Sequence, residues 1–380
     1  MRNCLKSFLI ILLSLNTLSF AQLNNPKNIK LNWKTDTTKH TINLSELMVV
    51  LPPGSFPKLD YPKFIGKDEG LKSFIKREPV MSVEINGEAK AYPLNILSVH
   101  EISNDTINGI PIVATYCPLC NSGLVFDRRL NYNGKNYLLE FEVSGMLRNS
   151  DMVMFDKQTE SWWQQLMGTS IVGELAGTEL KVIPSLIISV QEFFNRYPDG
   201  KILSKQSGDA ESQKYYGTNF YGKYDNPNGS PYKRFFKKDK IDKRLPAMER
   251  IVNIASNGKY KIYPFSVIRK IGVINDSFNG KDFVIFYQPG LLSVLDEKDI
   301  SKSKDIGAVT VFNSYLKNQK FTFTKLNGKI VDNETNSVWD ITGKCIKGKL
   351  AGSQLTIEPY STHFAFAWLA FHPGSVIYKP

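Results

Sequence analysis

The feature that most constrains this 380-residue chain is that it repeats itself. Asn86-Gly87-x-x-Lys90-x-Tyr92-Pro93 returns 171 positions later as Asn257-Gly258-x-x-Lys261-x-Tyr263-Pro264. At the same offset Asn108-Gly109 returns as Asn279-Gly280, and Ile112-Val113 as Phe283-Val284. Asp156-x-x-Thr159-x-Ser161-x-Trp163 then matches Asp332-x-x-Thr335-x-Ser337-x-Trp339 at an offset of 176, and Leu175-Ala176-Gly177 matches Leu350-Ala351-Gly352 at 175. The matches keep their order while the offset drifts slightly, which is the pattern of a duplication with small loop insertions.

Repeat 1 spans residues 80–204 and repeat 2 residues 249–380. A basic polar linker, 205–248, lies between them, and a Pro-rich segment, 22–79, precedes them and is expected to wrap the first repeat. Met81–Ile85, Ala89–Tyr92, Ile110–Tyr116 and Leu138–Val143 are short β-branched or aromatic runs bounded by turn residues. Asn86-Gly87, Asn133-Gly134, Asn257-Gly258 and Asn327-Gly328 are type I′ hairpin turns by composition. Helical spacing is found only at the repeat ends, Ser189–Tyr197 and Thr362–Phe371. No alternation of strand and helix suited to a parallel sheet is present. The expected fold is mainly β (α+β), with two tandem diverged repeats, barrel- or sandwich-like, each with a C-terminal helix.

Residues 1–21 read as a secretory signal: Arg2 and Lys6, then an apolar run from Phe8 to Leu18, then the small residues Ser19 and Ala21. The run is too short to span a bilayer comfortably, so an exported protein without an integral span is expected, periplasmic or extracellular. Losing Arg2 and Lys6 from a net charge of +12 leaves +10. The densest basic run, Lys233-Arg234-Phe235-Phe236-Lys237-Lys238-Asp239-Lys240, reads as a solvated linker or a patch facing anionic surfaces. Export argues against a nucleic-acid partner.

The chemistry-bearing motif is Tyr116-Cys117-Pro118-Leu119-Cys120-Asn121-Ser122-Gly123. Two thiols three residues apart after an apolar strand can converge on one metal ion, cycle as a redox couple or close a small disulfide. In repeat 2 the aligned stretch is Gln288-Pro289-Gly290-Leu291, which lacks both thiols, so the scaffold does not need them to fold. Leu124-Val125-Phe126 reads as a strand, which speaks against a thioredoxin fold, where a helix follows the first Cys.

His100 precedes the pair by one strand and could meet it across a sheet. His363 is expected to open the final helix. With both histidines the set is Cys2His2, suited to Cu(I) or Zn(II); each histidine also has a purely structural reading. Asn149, Asp151, Asp127 and Arg128 are candidate pocket residues. Trp162 and Trp163 are expected to be one core and one surface aromatic. Met146, Met152, Met154 and Met167 read as core filler that would also suit copper, and Cys345 reads as a buried free thiol.

Ala91-Tyr92-Pro93-Leu94, His100-Glu101-Ile102-x-Asn104-Asp105, Thr115-Tyr116-Cys117-Pro118-Leu119-Cys120-x-Ser122-Gly123, Phe126-Asp127-Arg128 and Ser150-Asp151 together resemble the bacterial and archaeal family known as domain of unknown function 3179. The likeness runs from Leu71 onward and includes Asp332-x-x-Thr335-x-Ser337-x-Trp339 and His363-Phe364-x-Phe366-Ala367-Trp368. Ala365 stands where the family more often has tryptophan. The resemblance brings no settled activity. It implies export or membrane association, and selenocysteine at a motif cysteine in some members, which suits redox chemistry.

Three functions remain open. One is a thiol-dependent oxidoreductase with Cys117 and Cys120 as nucleophile and resolving thiol, His100 as proton donor or acceptor, and a redox partner. The second is a copper or zinc protein using Cys117, Cys120, His100 and His363. The third is a non-catalytic surface scaffold.

Overall fold

In the computed structural model, which describes residues 33–57, 59 and 62–380, short antiparallel strands dominate. The expected export signal lies outside the described residues. The strands β1 (Pro79–Ile85) and β2 (Glu88–Pro93) form a hairpin about Asn86 and Gly87, whose φ angles of 49° and 89° are those of a type I′ turn. The helix α1 (Leu94–His100) follows, then the antiparallel run β3 (Ile102–Ile107), β4 (Ile110–Cys117) and β5 (Ser122–Asp127). A further sheet holds β6 (Phe141–Arg148), β7 (Asp151–Asp156) and β8 (Trp162–Gln164). β9 (Leu186–Ser189) then returns to pair with β1, the helix α2 (Val190–Arg196) follows, and β10 (Lys201–Leu203) joins β2 in parallel.

The elements β11 (Arg250–Ser256), β12 (Lys259–Pro264), α3 (Phe265–Ile271), β13 (Val273–Phe278) and β14 (Lys281–Gln288) follow in the same order as β1, β2, α1, β3 and β4. Next come β15 (Ala308–Asn313), β16 (Phe323–Leu326), β17 (Lys329–Asp332) and β18 (Val338–Trp339). The chain closes with β19 (Tyr360–Phe364), the helix α4 (Ala365–Phe371) and β20 (Val376–Ile377). The strand orders β9-β1-β2-β10 and β19-β11-β12-β20 correspond, down to a parallel pairing at the outer strand.

The recurring motifs are structural ties. Lys90 and Tyr92 both hydrogen-bond Asp105, at 3.0 and 2.6 Å, and Lys261 and Tyr263 both bond Asp276, at 2.6 and 2.8 Å. Asp156 accepts from the indole of Trp163 at 2.9 Å and the amide of Thr159 at 2.7 Å. Asp332 accepts from Trp339 at 2.8 Å and Thr335 at 2.6 Å. These carboxylates satisfy buried donors that would otherwise carry the full cost of desolvation.

Several expectations need correction. The sheets are open, so no barrel closes among the described residues. Helices occur inside the halves as well, at α1 and α3: α1 is buried all round, which hides helical periodicity, and α3 buries only Ile268, so neither shows a buried stripe along one face. The run Leu138–Val143 is broken, since Lys135–Leu138 ends a small hairpin and β6 begins at Phe141. Trp162 and Trp163 are both fully buried, one in each of two apolar clusters.

The larger cluster is continuous from Leu59 to Leu369, so residues of both halves share one core. Segment 205–248, read as a polar linker, contributes Tyr221, Tyr224, Phe236 and Met248 to it. The smaller cluster joins Leu44, Leu47 and Val49 to Met146 and Trp162, so part of the N-terminal segment does pack on this sheet.

Candidate functional site

The thiols stand at the tip of the β4–β5 hairpin. Cys117 pairs with Ser122 across the ladder, and the Cys120 amide donates to the Cys117 carbonyl at 3.3 Å, closing a β-turn with Pro118 at its second position. That turn brings residues i and i+3 together, and those are the two cysteines. Tyr116 fastens the turn by donating to Asn121 Oδ1 at 3.1 Å, and Tyr224 donates to the Leu119 carbonyl at 3.1 Å.

Asp151, the first residue of β7, completes a group. One carboxylate oxygen of Asp151 and the two sulfurs all lie within 4.8 Å of one another, and all three residues are buried. Asp151 Oδ2 accepts from Gln164 at 2.6 Å and from the Leu166 amide at 2.9 Å, while Oδ1 is buried with no partner other than the thiols. Ser122 Oγ, Ser150 Oγ and Gln165 Oε1, in the strands and turns beside it, are buried and unpartnered. Gln165 itself is anchored, donating to Thr115 Oγ1 at 2.8 Å and the Ser122 carbonyl at 3.2 Å. Such a concentration of unsatisfied buried atoms marks a place built for something further.

Burial raises the Cys117 thiol, opposed by a hydrogen bond from Cys120, and raises the Cys120 thiol well above its usual value, with Cys117 adding to the effect. Burial also pushes Asp151 up to about 6, against the bonds from Leu166, Gln164 and the thiols. Glu101 is buried near them and rises to about 8 through desolvation and then the charge of Asp151. With no cation beside them, the thiols are held in the protonated form.

The two histidines lie elsewhere. His100, at the end of α1, bonds the Pro57 carbonyl through Nδ1 at 2.9 Å and the Tyr216 hydroxyl through Nε2 at 2.6 Å. His363 sits in β19 rather than at the helix start, because the strand pairing Ile251↔His363 continues to Phe364, which caps α4. It bonds Ser361 at 2.5 Å and stacks on Trp368, while the backbone of the next residue, Phe364, donates to the Cys120 carbonyl at 2.9 Å. The metal-type group contains Cys117, Cys120 and Asp151, and neither histidine.

Of the other candidate pocket residues, Asp127 pairs with Arg129 at 2.6 Å, and Arg128 donates to the Leu139 and Asp105 carbonyls at 3.0 and 3.2 Å. Asn149 occupies the β6–β7 turn at φ 50°, in a groove it shares with Lys233, Lys237 and Lys240. Sequence reasoning gave no role to Glu101, Tyr221 or Tyr224, nor to the buried pair Arg250–Asp225, at 2.8 Å. One signal was present for Glu101: the residue 171 positions later is Gly272.

The frame and site define a class: an open, mainly antiparallel β protein carrying a buried dithiol–carboxylate centre at one hairpin tip. The chain belongs to the family described as protein of unknown function (DUF3179), whose model matches residues 53–375. No curated protein and no solved structure matches it.

Proposed function

We propose that this is an exported metal-binding protein whose centre is Cys117, Cys120 and Asp151, holding one zinc or copper ion. The carrying observation is the convergence of Asp151 on two buried thiols, a carboxylate oxygen and both sulfurs lying within 4.8 Å of one another with no partner for Asp151 Oδ1 other than the thiols themselves. Tetrahedral ligand atoms around zinc lie about 3.5–3.8 Å apart, a geometry within easy reach of a group whose atoms already lie within 4.8 Å. The chemistry agrees, since thiolate ligands favour soft or borderline ions and a bound cation supplies the charge that deprotonates buried thiols. Three protein ligands leave a coordination position for a further group.

In this reading the chain is two diverged copies, 80–204 and 249–380, and the second serves to wall the site of the first. The matching strand orders support it. No helix among the described residues is long and apolar enough to cross a membrane.

Elemental analysis of protein purified from the exported fraction tests the proposal. One zinc or copper per chain is expected, lost in Cys117→Ser and in Asp151→Asn. Metal content at background in the wild type, or unchanged in both variants, overturns it. A second reading, a thiol redox couple, has the asymmetry of the pair behind it: burial raises both thiols, but a hydrogen bond from Cys120 opposes the rise at Cys117, so Cys117 would be the nucleophile and Cys120 the resolving thiol.

A further inference from the structure

Glu101 occupies a backbone position that suits glycine. It ends α1 at φ 60°, ψ −30°, while Gly272 ends α3 at φ 88°, ψ −39°. The two residues do the same backbone work. Each amide returns to its helix at 2.7 Å, Glu101 accepts from the Tyr116 amide at 2.8 Å, and Gly272 accepts from the Tyr287 amide at 2.9 Å. A β-carbon is strained at such a φ, and a buried carboxyl adds a desolvation cost. The turn in the second half forms without either, so the needs of the backbone do not explain the glutamate.

Its side chain lines a pocket walled by Leu51, Phe56, Val143 and Met146, with Leu119 from the Cys117–Cys120 turn, Met152 beside Asp151, and Arg234 and Phe235 from segment 205–248. Tyr221 lines the same pocket. Neither the Glu101 carboxyl nor the Tyr221 hydroxyl hydrogen-bonds a described residue, and Glu101 is 6 % exposed. Glu101 is among the charges acting on the Tyr221 hydroxyl, which places the two groups near one another. Apart from Arg234 the wall is apolar, and burial favours the neutral carboxyl, so both groups present O–H donors to the same space. Two O–H donors facing one mostly apolar pocket are the usual polar anchor of a small-molecule site.

We propose that this pocket binds an uncharged, mainly apolar molecule carrying one carbonyl-type oxygen, which accepts hydrogen bonds from Glu101 and Tyr221 and lies against the Cys117–Cys120–Asp151 centre. The placement makes Leu119 the contact between guest and thiol turn. Binding does not require a metal at the centre.

The test is a fluorescence titration of the full chain with prodan, an uncharged aryl ketone whose emission reports both an apolar surrounding and hydrogen bonding to its carbonyl. Saturable binding of one prodan per chain is expected, weakened about tenfold in Glu101→Gly and in Tyr221→Phe, the loss of one hydrogen bond in each. Glu101→Gly should melt at or above the wild-type temperature, because it restores the residue this backbone favours. Protein stripped of metal with a chelator should bind prodan as untreated protein does, so failure of the metal reading leaves this result standing. Absence of saturable binding, unchanged affinity in Tyr221→Phe, or an unfolded Glu101→Gly protein, which would make the glutamate structural, overturns the proposal.

Discussion

The backbone amide of Phe364 donates to the carbonyl of Cys120 at 2.9 Å, so the second half of the chain grips the turn that carries the first half's thiols. Tyr224 meets Phe364 edge to face and donates to the Leu119 carbonyl, adding a third segment to the same grip. The turn is thus held from outside its own half of the chain.

Removing residues 249–380 takes away that grip and opens the shared core. The truncated chain is expected to aggregate or to lack a cooperative melt, because it exposes a broad apolar face. Sedimentation and calorimetry check this. A soluble truncation that melts cooperatively would show the first half to be self-sufficient.

By contrast, replacing both thiols with serine should leave a folded protein, destabilised by about 1–3 kcal/mol per site through buried hydroxyls lacking good partners. In the second half Gln288 ends β14 and Leu291 lies in the long connection 289–307 to β15, so the corresponding antiparallel pair forms without a cysteine turn. Denaturant unfolding of the double variant measures the cost, and failure to fold would make the pair structural.

Thiol reactivity separates the metal and redox readings. Cys117, Cys120 and Cys345 are all buried, and burial raises each thiol. In metal-free folded protein at pH 8, Ellman's reagent is expected to react with all three at least about a hundredfold more slowly than with a free thiol, and rapidly after guanidinium is added. Fast reaction of Cys117 in the folded state would favour the redox reading.

Asp225 is fully buried and joins segment 205–248 to the second half. It accepts from Arg250 at 2.8 Å, from Ser293 at 2.5 Å and from Lys304 at 2.8 Å, which together hold its carboxyl below the usual range despite burial. Asp225→Ala strands the Arg250 guanidinium without its counter-ion and should cost about 3–5 kcal/mol. Urea unfolding checks it; a loss under about 1 kcal/mol would show that Arg250 finds another partner or water.

Acid should weaken the fold through the histidines of the second half. Burial lowers His363 to about 3 and His372 to about 4, from 6.5. Between pH 6.5 and about 4 the unfolded chain therefore binds protons that the folded chain refuses, and stability falls as pH falls through that window. Glu78, Asp151 and Glu101 act in the opposite sense, their folded values being raised, so the comparison needs a variant. His363→Phe, which keeps the stack on Trp368, should lose less stability on acidification than the wild type. Equal slopes in the two proteins would remove His363 as a contributor.

How much of this was legible in the sequence follows from how local each signal was. The Asn-Gly turns, the hairpins they close and the order of motifs were readable, because a type I′ turn asks for φ above zero at two adjacent residues and few residue types supply it. The cysteine turn was readable too, since Pro118 between two thiols fixes both spacing and conformation over four residues. The short helices α1 and α3 were not, because every residue of α1 is buried while α3 buries only Ile268, and an amphipathic period needs one buried and one exposed face.

The sequence by itself determined the β class, the internal correspondence and the dithiol, all of which depend on residues within one turn or one hairpin. Only the tertiary structure decided which groups meet that dithiol. His100 lies one strand away in the chain, yet the geometry of α1 directs it to Pro57 and Tyr216. Asp151, more than thirty residues downstream, is delivered by β7 to the sulfurs. Glu101 and Tyr221 share a pocket for the same reason: sheet packing sets proximity between segments far apart in the chain, and no local pattern of residues encodes it.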